Sequence, residues 1–160
     1  VVGLGTGSTA AYAIRAIGEA IESGLDVRGV PTSFDARRRA REKVVDAAAD
    51  RFVVVADPSK VVDTLSHPIP LEVLPDARAA VERTVTALDG TPTLRRAEAK
   101  DGPVVTDNGN LILDCAFGPV DDPEGVARAL SDVPGVLEHG LFVDLVDAVY
   151  IGTDGGVEQL

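Results

Sequence analysis

Val1-Val2-Gly3-Leu4-Gly5-Thr6-Gly7-Ser8-Thr9 opens the chain, and its reading decides the fold. Val1 to Leu4 reads as the end of a buried strand, broken by a Gly/Thr/Ser turn. Ser8 or Thr9 is placed to cap the helix that follows. Its apolar positions Ala10, Ala13, Ile14, Ile17 and Ile21 share one face, and Gly24 ends it. Val27 to Val30 predicts a second strand, closed by Pro31-Thr32-Ser33. From Phe34 to Phe52 the spacing is helical throughout, with Val44, Val45, Ala48 and Ala49 as the stripe. Val53 to Ala56 predicts a third strand, too apolar for a wet face. Asp57-Pro58-Ser59 then opens a helical turn carrying Lys60, Val61, Val62 and Leu65. Strands alternating with helices predict a parallel α/β layer.

The character changes after His67-Pro68-Ile69-Pro70. Leu71 to Leu74 is strand-like, and a helix with Ala77, Ala80, Val81, Thr84 and Leu88 on one side runs to Gly90. Asp107-Asn108-Gly109-Asn110 is a hairpin signal between 103–106 and 111–117. A short helix from Pro123 to Leu130 and a strand from Val136 to Val143 follow. That order suits a small antiparallel lobe of ferredoxin-like type. Asp147 to Ile151 offers one more strand, able to return to the first layer. The expected fold is therefore α/β: a parallel-sheet, Rossmann-like larger domain (1–70 plus 144–160) with a smaller α+β, ferredoxin-like domain (71–143).

A length of 160 residues with 45% hydrophobic content supports one core plus a small satellite lobe. No apolar run reaches the ~18 residues of a membrane span. Acids outnumber bases 26 to 15, a net charge of −11. Such a surface repels nucleic acid and anionic membranes, so neither is expected as a partner. The basic run Arg37-Arg38-Arg39 with Arg41 reads as a solvated helix face. Excess acid, with only three lysines, points to a high-salt cytoplasm. The lone Cys115 excludes an intramolecular disulfide and reads as a small buried hydrophobe. His67 and His139 pair with no other ligand at metal-binding spacing, so neither a metal nor a cofactor is expected. The chain starts inside a strand without a Met, so its native N-terminus is expected upstream.

Three places have the residue types for chemistry. The Gly3–Thr9 loop lets backbone approach an anion closely, at a helix start whose free N–H groups point outward. It fits a phosphate monoester better than a dinucleotide. The dinucleotide fingerprint wants glycine where Ser8 stands, and an acid after the second strand. The plain alternative is a tight strand-to-helix turn. Lys60, in a first helical turn, opposes the helix dipole, as a residue kept for ligand binding would. From spacing alone, a solvated surface lysine is the stronger reading. Glu42 on composition is an ordinary helical acid, four residues after Arg38.

In order, Val2-Gly-Leu-Gly-Thr-Gly-Ser-Thr9, Arg41-Glu-Lys43, Phe52-Val-Val-Val-Ala-Asp-Pro-Ser-Lys60, Pro70-Leu-Glu-Val73, Val105-Thr-Asp-Asn-Gly-Asn110 and Gly152-Thr-Asp-Gly-Gly156 resemble the motifs of the ribose-5-phosphate isomerase A family. The resemblance spans essentially the whole chain. It implies a metal-free aldose–ketose isomerase that interconverts ribose 5-phosphate and ribulose 5-phosphate. It implies that Glu42 is the general base, that Thr6, Gly7, Ser8 and Thr9 hold the sugar phosphate, and that Lys60 binds substrate. It further implies a cytoplasmic homodimer or homotetramer whose one partner is a small pentose phosphate. The sequence departs from the family between Ala40 and Arg41, where Asp-Gly-Ala-Asp and Lys-Gly-Gly-Gly motifs are missing. Either a segment belongs there that is not written in the sequence, or the protein lacks it. In the second case it becomes a non-catalytic sugar-phosphate-binding module.

Overall fold

The computed structural model describes residues 2–4, 8–26, 29–31, 50–98 and 101–160. These form an α/β chain that divides into two compact units, one of residues 2–31, 50–62 and 144–160, the other of 63–143.

In the first unit, strand β1 (Val2–Leu4) pairs in parallel with β2 (Gly29–Pro31), joined through helix α1 (Ser8–Glu22). The helix ends where the sequence places its stop: Gly24 has φ +103°, and Leu25 N–H closes onto Ala20 O. Ala13, Ile17 and Ala20 are half-buried, whereas Ile21 faces solvent. Strand β3 (Val53–Ala56) pairs in parallel with β8 (Ala148–Thr153), which turns back antiparallel into β9 (Gly156–Gln159). The segment near 147–151 therefore lies parallel beside β3, in a sheet distinct from that of β1 and β2. Helix α1 packs beside β3.

Three expectations fail here. The helical pattern to Phe52 stops earlier, because 50–52 are bend and coil; Phe52 N–H donates to Asp147 Oδ2 at 2.6 Å on entry to β3. Residues 32–49 lie outside the described residues. Strand β3 does have a wet face, with Val53 and Val55 41% and 38% exposed. The helical turn after Asp57 is a single 3-10 turn, Pro58–Lys60, and the backbone is extended again at Val61.

The second unit runs β4 (Ile69–Val73), a 3-10 turn (Pro75–Ala77), α2 (Arg78–Ala87), β5 (Thr91–Leu94), β6 (Leu111–Ala116), α3 (Pro123–Ser131) and β7 (Val136–His139). Its sheet has the order β5-β6-β4-β7, every pair antiparallel. Alternation assigns Ile69, Leu71 and Val73 of β4, with Leu113 and Cys115 of β6, to one buried face. Val81 and Val85 of α2 and Leu130 of α3 cover that face. The buried side of α2 carries Val81 and Val85, with Ala77 half-buried just before the helix; Ala77 and Val81 fall on the side expected, whereas Ala80, Thr84 and Leu88 are exposed. The expected hairpin is also reassigned. The Asn108-Gly109 turn closes through Thr106 N–H to Asn110 O at 2.8 Å, but 103–105 contribute only isolated bridges. The strand beside β6 is β5. The expected strand 136–143 ends at His139.

Candidate active site

In the first unit, two pairs of parallel strands present carboxyl ends, where open α/β sheets receive ligands. β1 leads towards the start of α1 at Ser8, with Thr9 in its first turn. Thr6, Gly7 and Glu42, three of the residues singled out from sequence, lie outside the described residues.

The end of β3 is described in full. Ala56 is the last strand residue, and Asp57 caps the 3-10 turn that follows. The Asp57 carboxylate accepts from Ser59 N–H at 2.9 Å and from the Ser59 hydroxyl on the same oxygen, Oδ1. These bonds, with the Lys60 ammonium nearby, hold the Asp57 carboxyl below its ordinary value of 3.8. Pro58 fixes the turn from its first position, where its missing N–H costs nothing. Asp57 therefore remains ionised at neutral pH and braces the turn whose last residue, Lys60, stands exposed to solvent. Among the described residues no salt bridge holds this exposed ammonium, although the Asp57 carboxylate lies near it.

Beside this turn, β8 reaches its own carboxyl end. The register Ala56 with Ile151 brings Gly152-Thr153 next to Asp57. Thr153 Oγ1 donates to Gly156 O at 3.1 Å, closing the Thr153–Gly156 turn. Sequence reasoning singled out Gly152–Gly156 as a motif and gave it no role; it spans the end of β8, the turn and the start of β9.

The second unit has a groove of about 450 Å³ lined by Leu65, His67, Arg95, Asp114 and Leu141. Its guanidinium is committed: Arg95 Nε donates to Asp114 Oδ2 at 2.8 Å, and a second arm binds Oδ1. That pairing raises the Arg95 pKa further and leaves the groove without a free arginine for phosphate. Among the described residues, no cluster of three or more His, Cys, Asp or Glu could hold a metal. No helix among them is long and apolar enough to cross a membrane.

An α/β chain with a braced turn at the carboxyl end of parallel strands has the architecture in which open sheets place their ligands. The family model described as ribose 5-phosphate isomerase A (phosphoriboisomerase A) matches residues 35–156. A ribose-5-phosphate isomerase A of Haloarcula marismortui is 52% identical over 98% of this chain and 86% of its own length. One of Natronomonas pharaonis is 50% identical over 99% and 88%. The structure of ribose 5-phosphate isomerase A from Methanocaldococcus jannaschii superposes with a TM-score of 0.90 at 37% identity, covering 99% of this chain and 89% of that one. A D-ribose-5-phosphate isomerase in complex with phospho-erythronic acid gives 0.90 at 35% identity, with the same coverage. The chain belongs to the ribose 5-phosphate isomerase A family, and it is an enzyme of the isomerase class.

The Haloarcula alignment runs over 196 positions, while 98% of this chain is about 157 residues. About forty aligned positions therefore have no residue here.

Proposed function

We propose that the protein interconverts D-ribose 5-phosphate and D-ribulose 5-phosphate, in the non-oxidative branch of the pentose phosphate pathway. The observation that carries this is identity of about half over nearly the whole chain to proteins named for that activity. The complex of a related isomerase with phospho-erythronic acid, a phosphorylated sugar acid, supports a sugar-phosphate ligand.

In this reading the larger domain is Rossmann-like, the smaller is ferredoxin-like, and the site lies at the carboxyl ends of the larger domain's strands. The order β-α-β-β-α-β of the second unit supports the smaller assignment. Thr6, Gly7, Ser8 and Thr9 hold the substrate through backbone N–H groups and hydroxyls at the start of α1. Lys60 supplies a cation to the same ligand. Glu42 acts as general base: its carboxylate takes the proton from C2 of the open-chain aldose and returns it to C1. The electron pair left on C2 moves into the C1–C2 bond as an enediolate, and the hydroxyl proton passes between O1 and O2. Partial desolvation keeps such a carboxylate basic enough near neutral pH. The chain works in the cytoplasm as a homodimer or homotetramer.

The test is Glu42→Gln, which keeps shape and removes the base. Turnover is expected to vanish while pentose-phosphate binding, followed by calorimetry, falls little; near-normal kcat would remove Glu42 from the role. Lys60→Ala is expected to raise KM more than it lowers kcat. The roughly forty unmatched positions fit the two motifs missing between Ala40 and Arg41, one of which would stabilise the enediolate oxygen. The 160-residue chain itself must therefore be assayed. Binding without isomerisation would overturn the catalytic reading in favour of a binding module.

A further inference from the structure

Glu72 sits in β4, 8% exposed, on the sheet face opposite the apolar core. Its Oε1 accepts three hydrogen bonds, all from one turn. Thr106 Oγ1 and Asn110 Nδ2 each donate at 2.8 Å, and Asn108 Nδ2 donates at 3.1 Å. The sequence contains only two asparagines, Asn108 and Asn110, and both give a side-chain N–H to this one oxygen.

Asn108 precedes Gly109, a pairing that is chemically labile. With no side chain on Gly109, its backbone nitrogen can reach Asn108 Cγ. The N–Cγ bond forms, the Cγ–Nδ2 bond breaks, and ammonia leaves with the proton from Gly109 N. Water then opens the succinimide at either carbonyl, leaving aspartate or isoaspartate at 108. The net change is amide plus water to acid plus ammonia, with nothing oxidised or reduced.

The fold opposes each part of that step. Donation from Nδ2 to a carboxylate deepens conjugation in the amide, makes Cγ a poorer electrophile and fixes the side-chain rotation. Gly109 N–H is meanwhile engaged with Thr106 O at 2.8 Å, which holds the nucleophile in the turn. We propose that Glu72 guards Asn108 against succinimide formation, making Asn108-Gly109 a latent modification site that opens only when the turn leaves Glu72. The conversion does not reverse. A carboxylate at 108 has no N–H to donate and repels Glu72, so the turn cannot close in its former way. Asn110 is the internal control, because Leu111 crowds its backbone nitrogen.

The experiment is peptide mapping of the full chain after incubation in mildly alkaline buffer, folded and in urea. Conversion at Asn108 in the folded protein is expected to be roughly tenfold or more slower than in urea, as reaction through a rarely opened state requires. Asn110 should stay unchanged in both. Glu72→Gln and Glu72→Asp, checked for folding by the inaccessibility of the Cys115 thiol, should move the folded rate towards the urea rate. Equal rates in folded and unfolded wild type would overturn the proposal. So would a folded Glu72→Gln protein that keeps the wild-type rate. If neither variant folds, the wild-type ratio decides alone.

Discussion

Cys115 has no exposed surface, and burial, with Asp114 beside it, pushes its thiol up from 9.0 to about 12. The folded protein therefore holds the thiol proton more tightly than the unfolded chain does. Stability from this group is intact below pH 9, and it falls as pH rises from about 9 towards 12, where only the unfolded chain ionises readily. An aromatic disulfide reagent at pH 8 is expected to leave native protein unlabelled and to react at once in urea; prompt native labelling would contradict the burial. Gly135 is the second sharp case. It has φ +95°, and a Cβ there would stand 2.2 Å from Ala77 Cβ. Gly135→Ala is strained in backbone and side chain alike, and should cost more than the ~1 kcal/mol typical of single substitutions. Thermal unfolding measures it. The Cys115 burial was legible in the apolar run around it. Nothing in the sequence marked Glu72 as buried, because only the folded turn brings its three donors onto one oxygen.

At the scale of elements, β4 and β6 form the centre of the four-stranded sheet, and Leu71 and Leu113 face each other in register there, both without exposed surface. Leu113→Ala leaves a cavity in close-packed surroundings and should cost about 2–5 kcal/mol; denaturant unfolding followed by circular dichroism would show it. Strand β4 was readable from its apolar alternation, and β6 as an apolar run after the Asp107–Asn110 turn signal. Strand β5 was not, because Thr91-Pro92-Thr93-Leu94 puts a proline inside the run, which argues against a strand. The sheet accepts it because, among the described residues, β5 is an edge with β6 its only neighbour. The α2 face holds Ala77 and Val81 as expected, but Val85 completes it and Ala80, Thr84 and Leu88 do not, because the spacing of the stripe alone does not choose between neighbouring positions. Packing against β4 and β6 makes the choice. At β3 the apolar run Val53–Val55 suggested burial on both faces, a matter of what covers a strand and so outside its own residues.

For the whole molecule, a net charge of −11 means mutual repulsion among acids in the compact state. Salt shortens the reach of that repulsion, from about 10 Å at 0.1 M to about 3 Å at 1 M. The melting temperature is expected to rise with added KCl over that range; a flat or falling profile would remove charge repulsion as a destabilising factor. One contact has a consequence in time. The Phe52 amide is met by Asp147, 95 residues further along, and among the described residues β3 finds its parallel neighbour only in β8. On a ribosome, β3 must wait while the continuous stretch 63–143 emerges complete with its four strands. The later-born piece is thus the first that can finish folding, and the first-born remains open until the last strands are made.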